Sequence, residues 1–417
     1  MNFIGLFLYL SKLFSVVKTP WMIVPERVIE KLQDHPISRV TFQAWGRRTS
    51  NQRSAIIFCT CFLFLVILRA LSGDSASSNA LLAQSHRESH LTELVADVPR
   101  YAIMSVADND DRNVGRDGKA RQSALAEGTL HVSFANHKMS YRVEWNNPPL
   151  SIIQTSYVHN GRGMELSTLN FWRGTHLYTC DDRTGIVYRI SIEDGVAPKL
   201  YPRHILADGD GEQANGMRCE WSTTKGEMLF IGSTGTPWVN PDGSVANRNP
   251  MWIKTISPLG VIRNIDWSGP YEKMKAALGI GDKGYIIHEC ALWSSRMTRW
   301  YFIPRHVSNT PYRPGDERKH GSTIIFAADA SFSKILVVDL EGTSANPRRG
   351  VTDCKFVPNG RDQEIMVTKI EEMDSGVFQS FIAIYSVDGK QLLDDTPMPR
   401  GWKFEGLELR PLIHHEK

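Results

Sequence analysis

Several common signatures are absent from this 417-residue sequence. Its six cysteines show no paired spacing of the zinc-binding kind, which excludes a zinc-finger site. No Asn is followed two positions later by Ser or Thr, so the chain has no acceptor for N-linked glycosylation. Helical periodicity is convincing only over Pro270–Gly279. A helical or α/β domain is therefore excluded, and an all-β domain is expected.

Net positive charge is confined to the N-terminal tail. The formal net charge of the chain is +3, and residues 1–54 carry eight Lys or Arg against three acidic residues. The tail therefore has a balance of +5, which leaves about −2 for everything after it. Because nucleic-acid binding depends on clustered Lys and Arg, this balance excludes a nucleic-acid-binding surface as the main function.

One long hydrophobic run bears on localisation. Residues 55–68 contain no charge, and Ala70 and Leu71 extend the run past Arg69 to about the minimum length that spans a bilayer. With the basic tail before it, the run predicts a cytosolic segment at residues 1–54, a transmembrane signal anchor at residues 55–71 and a large domain on the other side of the membrane. Small residues after the run leave cleavage, and hence release, as an alternative.

The remainder divides into a stalk and one folded domain. Residues 72–100 are rich in Ser, Ala, Asp and His without strand periodicity, which is typical of a stalk. Residues 101–417 alternate turn residues with short segments enriched in aromatic and β-branched side chains, which predicts many antiparallel strands. A sandwich, a barrel and a propeller all suit this texture.

Five segments place a carboxylate or hydroxyl beside a compact aromatic or β-rich run. These oxygens recur at intervals of roughly 53 to 69 positions, about one propeller blade with long loops. A sandwich gives no reason for such recurrence, so the pattern favours a five-bladed β-propeller in which one oxygen per blade meets on the central axis. Calcium binds six to eight oxygens of this kind. The five residues are Ser167, Glu220, Glu289, Thr352 and Glu405.

The three glutamates lie within apolar stretches, where an unpaired carboxylate is costly. Burial in an ion pair with Arg is the alternative to metal binding. The arginines at 299, 305, 348 and 349 are interpreted as solvated or salt-bridged surface residues. The four cysteines of the predicted domain allow three pairings if they are oxidised, and buried free thiols are the alternative. These are Cys180, Cys219, Cys290 and Cys354.

Eight short motifs follow one another in a fixed order: GRGMEL (161–166), DDRTG (181–185), DGDG (208–211), EW (220–221), YIIHE (285–289), WYFIPR (300–305), DERK (316–319) and FEGLEL (404–409). Together they resemble the calcium-activated nucleotidase branch of the apyrases, which are secreted or Golgi-anchored enzymes. The resemblance covers about three quarters of the chain.

The resemblance implies a five-bladed propeller with one central calcium ion, and hydrolysis of nucleoside di- and triphosphates to monophosphate and phosphate. Family members generally have Ser-Asp where this chain has Ser167 and Thr168, and Ser where it has Thr352. It also implies a Golgi or endoplasmic reticulum membrane protein with a lumenal catalytic domain, secreted if cleaved, and a homodimer is plausible. Carried over by position, the metal ligands are Ser167, Thr168, Glu220, Glu289, Thr352 and Glu405.

Catalytic and substrate-binding candidates complete the predicted site. Asp108 follows a strand of small and apolar residues and matches an acidic position of the family, so it is expected to act on the attacking water. Asp110 and Glu165 are the alternatives. Guanidinium forks match phosphate geometry and an aromatic ring can stack on a base. The predicted substrate-binding residues are Arg162, Arg183, Arg318, Lys319 and Trp293, with Trp221 as a second aromatic.

Three functions are compatible with these residues. The first is calcium-dependent hydrolysis of UDP, GDP and possibly ADP, with triphosphates as further substrates, in the secretory pathway or outside the cell. The second is a non-catalytic propeller that binds a protein or glycan, with calcium only locking the blades. The third is a calcium propeller hydrolase of lactones or phosphotriesters, for which the DDRTG and DERK motifs have no obvious purpose.

Overall fold

The structure, a computed structural model, describes residues 99–412 except 111–113, 115–119, 136–137, 194, 314–318, 343–347, 360 and 374–376. The predicted tail, anchor and nearly all of the stalk lie outside the described residues. Within the described residues, no helix combines the length and the apolar character needed to cross a membrane.

Strands account for almost all of the regular structure in the described part. One helix, α1 (Ser268–Ala277), interrupts them, and Gly279 ends it with a φ of 65°, a backbone conformation that favours glycine. The strands are β1 (Arg100–Ala107), β2 (Arg121–Ala135), β3 (Lys138–Thr155), β4 (Asn170–Trp172), β5 (His176–Cys180), β6 (Ile186–Glu193), β7 (Val196–Ile205), β8 (Trp221–Lys225), β9 (Met228–Gly232), β10 (Trp238–Val239), β11 (Val245–Asn247), β12 (Trp252–Ile256), β13 (Ile262–Asp266), β14 (Tyr285–Ser294), β15 (Arg299–Ser308), β16 (Ile324–Asp329), β17 (Ile335–Asp339), β18 (Arg349–Phe356), β19 (Glu364–Glu372), β20 (Phe378–Ser386), β21 (Gln391–Pro397) and β22 (Phe404–Pro411).

Five four-stranded antiparallel sheets form the blades. Their strand orders are β22-β1-β2-β3, β4-β5-β6-β7, β8-β9-β12-β13, β14-β15-β16-β17 and β18-β19-β20-β21, which we number blades 1 to 5. The C-terminal strand β22 pairs with β1, so blade 1 is built from both ends of the domain. The β10–β11 hairpin is inserted between two strands of blade 3.

The first strand of each blade lies at the axis. Each of these inner strands contacts the inner strand of the next blade, and the ring closes between β22 and β4. The sequence shows the same layering, because inner strand β14 (YIIHECALWS) is buried along almost its whole length, whereas the last strand of blade 3, β13 (IRNID), is exposed throughout. The prediction of a five-bladed β-propeller is therefore confirmed.

Apolar packing between blades forms the core. The boundary of blades 3 and 4 is aromatic, with the buried rings of Trp221, Trp267, Trp300 and Phe302 in edge or tilted contact at centroid distances of 5.1 to 6.2 Å. Helix α1 adds Tyr271 to this cluster. Burying one such side chain stabilises the fold by about 3 kcal/mol before conformational entropy is counted.

Two disulfide bonds cross blade boundaries. Cys180, the last residue of β5, bonds to Cys219, which lies just before β8 and so joins blade 2 to blade 3. Cys290 of β14 bonds to Cys354 of β18 and joins blade 4 to blade 5. One of the three pairings left open by the sequence is thereby selected, and the alternative of four free thiols is excluded.

The antiparallel order also explains where functional residues gather. An inner strand begins at the edge of the sheet where the second strand of its blade ends and the third begins. The starts of inner strands and the loops between second and third strands therefore open on the same end of the propeller.

Candidate functional site

All five axial oxygens predicted from the spacing lie at the starts of inner strands. Ser167 and Glu220 come shortly before β4 and β8, and the other three are in the first halves of β14, β18 and β22. Every one of the five residues is at least 95% buried. Such burial of three carboxylates requires partners or an ion.

Three of these residues occupy β-bulges. Glu405 has no partner in β1, because Val106 pairs with Gly406 and Ala107 pairs with Phe404. Thr352 and Glu289 lie at similar register shifts in β18 and β14. A bulge turns a side chain out of the strict inward and outward alternation of a strand, which aims these oxygens at the axis.

Hydrogen bonds connect the axial residues across blades. Ser167 Oγ donates to Glu405 Oε2 at 3.0 Å, and Thr352 Oγ1 donates to the carbonyl oxygen of Phe404 at 3.2 Å. Gly406 permits this approach, since a Cβ atom there would be 2.7 Å from the carbonyl carbon of Thr168. The structure thus brings together ligand candidates from blades 1, 2 and 5.

Arginine side chains pair with the remaining candidates, Glu289 and Glu220. The first is Arg305. Its Nη1 donates to Glu289 Oε1 and Oε2 at 3.0 and 2.8 Å and to Glu405 Oε1 at 3.2 Å. Arg218 Nε lies 2.6 Å from Glu220 Oε1 as an ion pair. The alternative interpretation of the glutamates, burial beside Arg, is therefore also realised in the structure.

The electrostatic environment of the axis is unfavourable for carboxylates. Burial raises the pKa of Glu289 well above its ordinary value, Arg305 opposes the rise, and Glu220 and Glu405 add to it. Burial likewise raises the pKa of Glu405 to about 7, opposed by Lys403. Carboxyl groups in this state gain stability from an additional cation.

The axial residues fit calcium. Glu220 Oε1 is buried and makes no hydrogen bond, because its contact with Arg218 lacks hydrogen-bond geometry. The donor set consists of carboxylates and hydroxyls, the hard oxygen ligands that calcium prefers. Thr168 differs from the other candidates, because its hydroxyl accepts a hydrogen bond from the N–H of Cys180 at 3.1 Å.

Asp108, Asp110 and Glu165, the three predicted catalytic residues, also lie together. Carboxylate oxygens of all three are within 4.8 Å of one another. Asp108 Oδ1 accepts a hydrogen bond from the N–H of Asp110 at 2.7 Å, which fixes its orientation. Glu165 is completely buried, and burial together with the charge of Asp108 raises its pKa, which two guanidinium groups oppose.

Those two guanidinium groups are the predicted phosphate ligands. Arg162 donates from Nε and Nη2 to the two oxygens of Glu165 at 2.7 and 2.5 Å, and Arg183 Nε donates to Glu165 Oε2 at 2.9 Å. Both side chains stay about one third exposed. Glu165 therefore positions two arginines, a more specific role than the alternative base suggested by sequence.

Lys403 connects the acidic group to the axis and was not identified from sequence. Its Nζ lies 3.5 Å from Asp108 Oδ2, 3.3 Å from Asp110 Oδ2 and 3.2 Å from Glu405 Oε1. Burial alone would lower the pKa of Lys403, but these three carboxylates raise it well above its ordinary value. Its position two residues before Glu405, just ahead of β22, was the available signal.

The interpretation of Arg305 as a surface residue was wrong. Its side chain is 12% exposed and also pairs with Glu372 at 2.8 Å. Arg348 lines the cavity described below, whereas Arg349 pairs with Glu371 and Asp395, as expected for a salt-bridged residue. The location of Arg305 at the end of the WYFIPR motif, in a strand paired with β14, explains why it reaches the axis.

A cavity of about 470 Å³ lies above the axial residues. It is bounded by Glu220, Glu289, Arg305 and Lys403, and by the aromatic residues Trp238 and Tyr312. Trp238 belongs to the β10–β11 hairpin, is 38% exposed, and has the guanidinium of Arg218 at 5.6 Å from its ring centre. The hairpin therefore offers an aromatic face to a ligand.

Trp293 lies elsewhere, which corrects its predicted role in stacking. It packs on Trp300 with centroids 5.2 Å apart, and Lys225 Nζ lies 3.8 Å from its ring centre. Neither Trp293 nor the fully buried Trp221 lines the cavity. Lys319 does not line it either, and Arg318 lies outside the described residues.

Comparisons with known proteins identify the family of this chain. The sequence pattern of the apyrase family matches residues 108–410. Soluble calcium-activated nucleotidase 1 of Mus musculus is 36% identical over 74% of this chain and 73% of its own length. Apyrase of Cimex lectularius is 33% identical over 74% of this chain and 82% of its own, and apyrase apy-1 of Caenorhabditis elegans is 33% identical over 74% and 83%.

Likeness to solved structures is weaker. A Lactobacillus plantarum protein aligns with a TM-score of 0.33 and 10% identity over 74% of this chain and 99% of its own. We infer neither fold nor function from this similarity. The assignment depends on the sequence relatives, each of which is matched over more than two thirds of its length. The chain belongs to the apyrase family.

Proposed function

We propose that this chain is a calcium-dependent hydrolase that converts nucleoside diphosphates, and also triphosphates, to monophosphate and phosphate. The observation that carries the proposal is the joining of Glu289 and Glu405 to Arg305 at the floor of an open cavity. An oxygen-rich cation site and the fixed guanidinium group of Arg305 in one cavity suit a polyphosphate better than a neutral ligand.

Membership in the apyrase family implies that nucleotide phosphates are the substrates. Calcium would be held by Ser167, Glu220, Glu289, Thr352 and Glu405. When bound, it would supply neutralisation of phosphate charge and polarisation of the phosphoryl oxygens.

The cationic side chains would bind and orient the substrate. Arg162 and Arg183 are held by the buried carboxylate of Glu165, yet each remains partly exposed. Arg305 presents its guanidinium at the cavity floor. Groups fixed in this way need little reorganisation when the charge on the phosphate spreads during reaction.

Asp108 is the proposed base. The oxygen of a water molecule attacks the terminal phosphorus, the bond from phosphorus to the bridging oxygen breaks, and the monophosphate leaves with the electron pair. Asp108 accepts the proton from the water. Its hydrogen bond from the Asp110 N–H and its ion pair with Lys403 hold the carboxylate in place for this transfer.

Trp238 is the proposed contact for the nucleobase. Its exposed ring on the cavity wall is free of the interblade packing that holds Trp221 and Trp293. Stacking on one aromatic ring tolerates several bases. This is compatible with UDP, GDP and possibly ADP as substrates.

We further propose that the catalytic domain works in the secretory pathway or outside the cell. The hydrophobic run at residues 55–71 and its basic flank support a lumenal orientation, and two disulfide bonds are typical of an oxidising compartment. A membrane-anchored and a cleaved, secreted form are both compatible with this location. Homodimerisation stays a prediction.

The deciding experiment measures phosphate release by the full-length protein. UDP, GDP, ADP and the corresponding triphosphates are each supplied with calcium, with magnesium and with a chelator. We expect phosphate release with calcium and its loss with the chelator. A folded, calcium-binding protein that is inactive on every nucleotide would instead support the non-catalytic binding propeller.

A further inference from the structure

Both disulfide bonds begin and end beside candidate calcium ligands. Cys219 immediately precedes Glu220, and Cys290 immediately follows Glu289. Cys354 lies two residues after Thr352, on the same strand. All four half-cystines are at most 1% exposed, at the axial side of their blades.

The first bridge joins the ligands of blades 2 and 3. The carbonyl oxygen of Cys180 accepts a hydrogen bond from the N–H of Ser167 at 3.2 Å, and the N–H of Cys180 donates to Thr168 Oγ1 at 3.1 Å. Its partner Cys219 is bonded through the main chain to Glu220, whose N–H donates to Gly232 at 2.8 Å. A short path of bonds therefore connects Ser167 to Glu220.

The second bridge joins the ligands of blades 4 and 5. Cys290 shares the bulge of β14 with Glu289, and Cys354 pairs with Val367 just beyond the bulge that contains Thr352. The Cα atoms of Cys290 and Cys354 are 5.3 Å apart. Bulged residues are held by fewer ladder hydrogen bonds than their neighbours, so a covalent link next to a bulge restricts it directly.

The other boundaries between blades have no disulfide bond in the described part of the chain. Blades 1 and 2 are joined at the axis by the Ser167–Glu405 hydrogen bond, and blades 5 and 1 by the bond from Thr352 to Phe404. Aromatic packing joins blades 3 and 4. An ion that takes one ligand from each blade is sensitive to any change in the separation of the blades.

We propose that the two disulfide bonds are positioning elements of the calcium site. Each fixes the separation of two neighbouring ligands across a blade boundary, so its removal weakens calcium binding by the folded propeller. This inference rests on the proposed function, because it takes the axial residues to be calcium ligands. It assigns the four cysteines a role that the hydrolytic reaction itself does not use.

Paired substitutions test the inference. Cys180→Ser with Cys219→Ser removes the first bridge, and Cys290→Ser with Cys354→Ser removes the second. The readout is the midpoint of a calorimetric calcium titration of the folded full-length protein. We expect this midpoint to rise about tenfold or more for each pair, since changes that disturb the orientation of metal ligands commonly cost 10- to 100-fold in affinity.

A control separates positioning from general stability. Ile384→Ala truncates a fully buried side chain in the third strand of blade 5, away from the ligands. It should lower the Tm with and without calcium and leave the calcium midpoint unchanged. If the cysteine variants behave like this control, the bridges only stabilise the fold and the inference is overturned.

A measurement on the unaltered protein avoids variants that fail to fold. Because linkage is reciprocal, a bridge that strengthens calcium binding must itself be stabilised by calcium. Equilibration in thiol–disulfide redox buffers, followed by alkylation and mass spectrometry, should show a smaller reduced fraction of both bridges as calcium rises. An equal reduced fraction with and without calcium, or different cysteine pairs, would contradict the inference. If the Tm of the wild-type protein does not respond to calcium, both the proposed calcium site and the proposed function are wrong.

Discussion

One guanidinium nitrogen of Arg305 donates to both carboxylate oxygens of Glu289, at 3.0 and 2.8 Å. The same nitrogen reaches Glu405 at 3.2 Å, so a single buried cation serves two candidate metal ligands. Positive charge is thus built into the axis by the chain itself. The stability of the fold should therefore depend on Arg305 more strongly when no ion is bound than when one is.

Replacement of Arg305 should be tolerated far better with calcium than without it. Arg305→Met leaves Glu289 and Glu405 without their shared cation, a change that costs about 3–5 kcal/mol for a buried pair. Calcium would restore part of the missing charge. We therefore expect a large fall in Tm in chelator and a smaller one at saturating calcium, measured by thermal melts. Arg305→Lys, which keeps the charge, is the control, and equal losses in both conditions would show that Arg305 does not share ligands with an ion.

Glu289→Gln should weaken calcium binding and reduce calcium-dependent stabilisation together. An ion that binds only the folded state stabilises it by about 2.7 kcal/mol at a concentration of 100 Kd, and this gain shrinks as Kd rises. Calorimetric titration and thermal melts measure both effects. The exposed Glu227→Gln is a matched control. A calcium titration unchanged by Glu289→Gln would exclude Glu289 from the ligands.

Asp108→Asn should abolish turnover with little effect on calcium-dependent melting. Loss of a general base commonly costs 10² to 10⁴ in rate, whereas the axial ligands keep their contacts. Phosphate release under calcium saturation gives the rate, and the Tm shift gives the ion response. Should the variant retain activity within a factor of about three, Asp108 is not the base, and Asp110 becomes the candidate.

Trp238→Ala should raise KM for nucleotides more than it lowers kcat. Stacking of a base on an aromatic ring is worth about 1–3 kcal/mol, which corresponds to roughly 5- to 150-fold. Inorganic pyrophosphate has no base, so its hydrolysis, if any, should be unaffected. Trp293→Phe tests the alternative aromatic, and a nucleotide KM that responds to Trp293→Phe but not to Trp238→Ala would reverse this assignment.

Glu408 should make stability fall as the pH rises from about 4.5 to about 7. Burial raises its pKa to about 7, although the N–H groups of Phe171 and Leu409 donate to it at 2.7 and 2.8 Å. A raised pKa favours the protonated form of Glu408 in the folded state. Its contribution to the free energy of unfolding is therefore complete below pH 4.5 and is lost as the pH rises to about 7. Its upper limit is about 3 kcal/mol.

Denaturant unfolding across this pH range, at saturating calcium, measures the slope. Glu408→Gln cannot titrate and should flatten it. The slope is compared rather than the absolute stability, because Gln has one acceptor oxygen where the carboxylate uses two. The substitution therefore also changes the stability by an amount that does not depend on pH. An unchanged slope would assign the pH dependence to other groups.

The axial positions could be predicted from sequence because a propeller repeats one functional position per blade. Spacing therefore identified all five positions, Ser167, Glu220, Glu289, Thr352 and Glu405. The bulges that aim Glu289 and Glu405 have no sequence signature, since they arise from the register in which each strand pairs with its neighbour. Their existence required the structure.

Cations were the residues that sequence reasoning placed least well. A strand position that carries Arg or Lys usually faces solvent, so Arg305 was interpreted as surface and Lys403 was not singled out. Both are buried because carboxylates surround them: Arg305 meets carboxylates of blades 4, 5 and 1, and Lys403 meets those at the end of its own blade 1. Trp238 was also missed, because a short hairpin inserted within a blade has no strand periodicity to mark it.

Pairing of β22 with β1 makes the last residues of the domain indispensable to its centre. A ribosome releases this segment only after all other strands of the domain have been translated, so a nascent chain lacks both the closing strand and Glu405 until the rest of the domain has emerged. Premature termination anywhere before Phe404 would therefore yield an open ring with an incomplete set of ion ligands, rather than a shortened enzyme with partial activity.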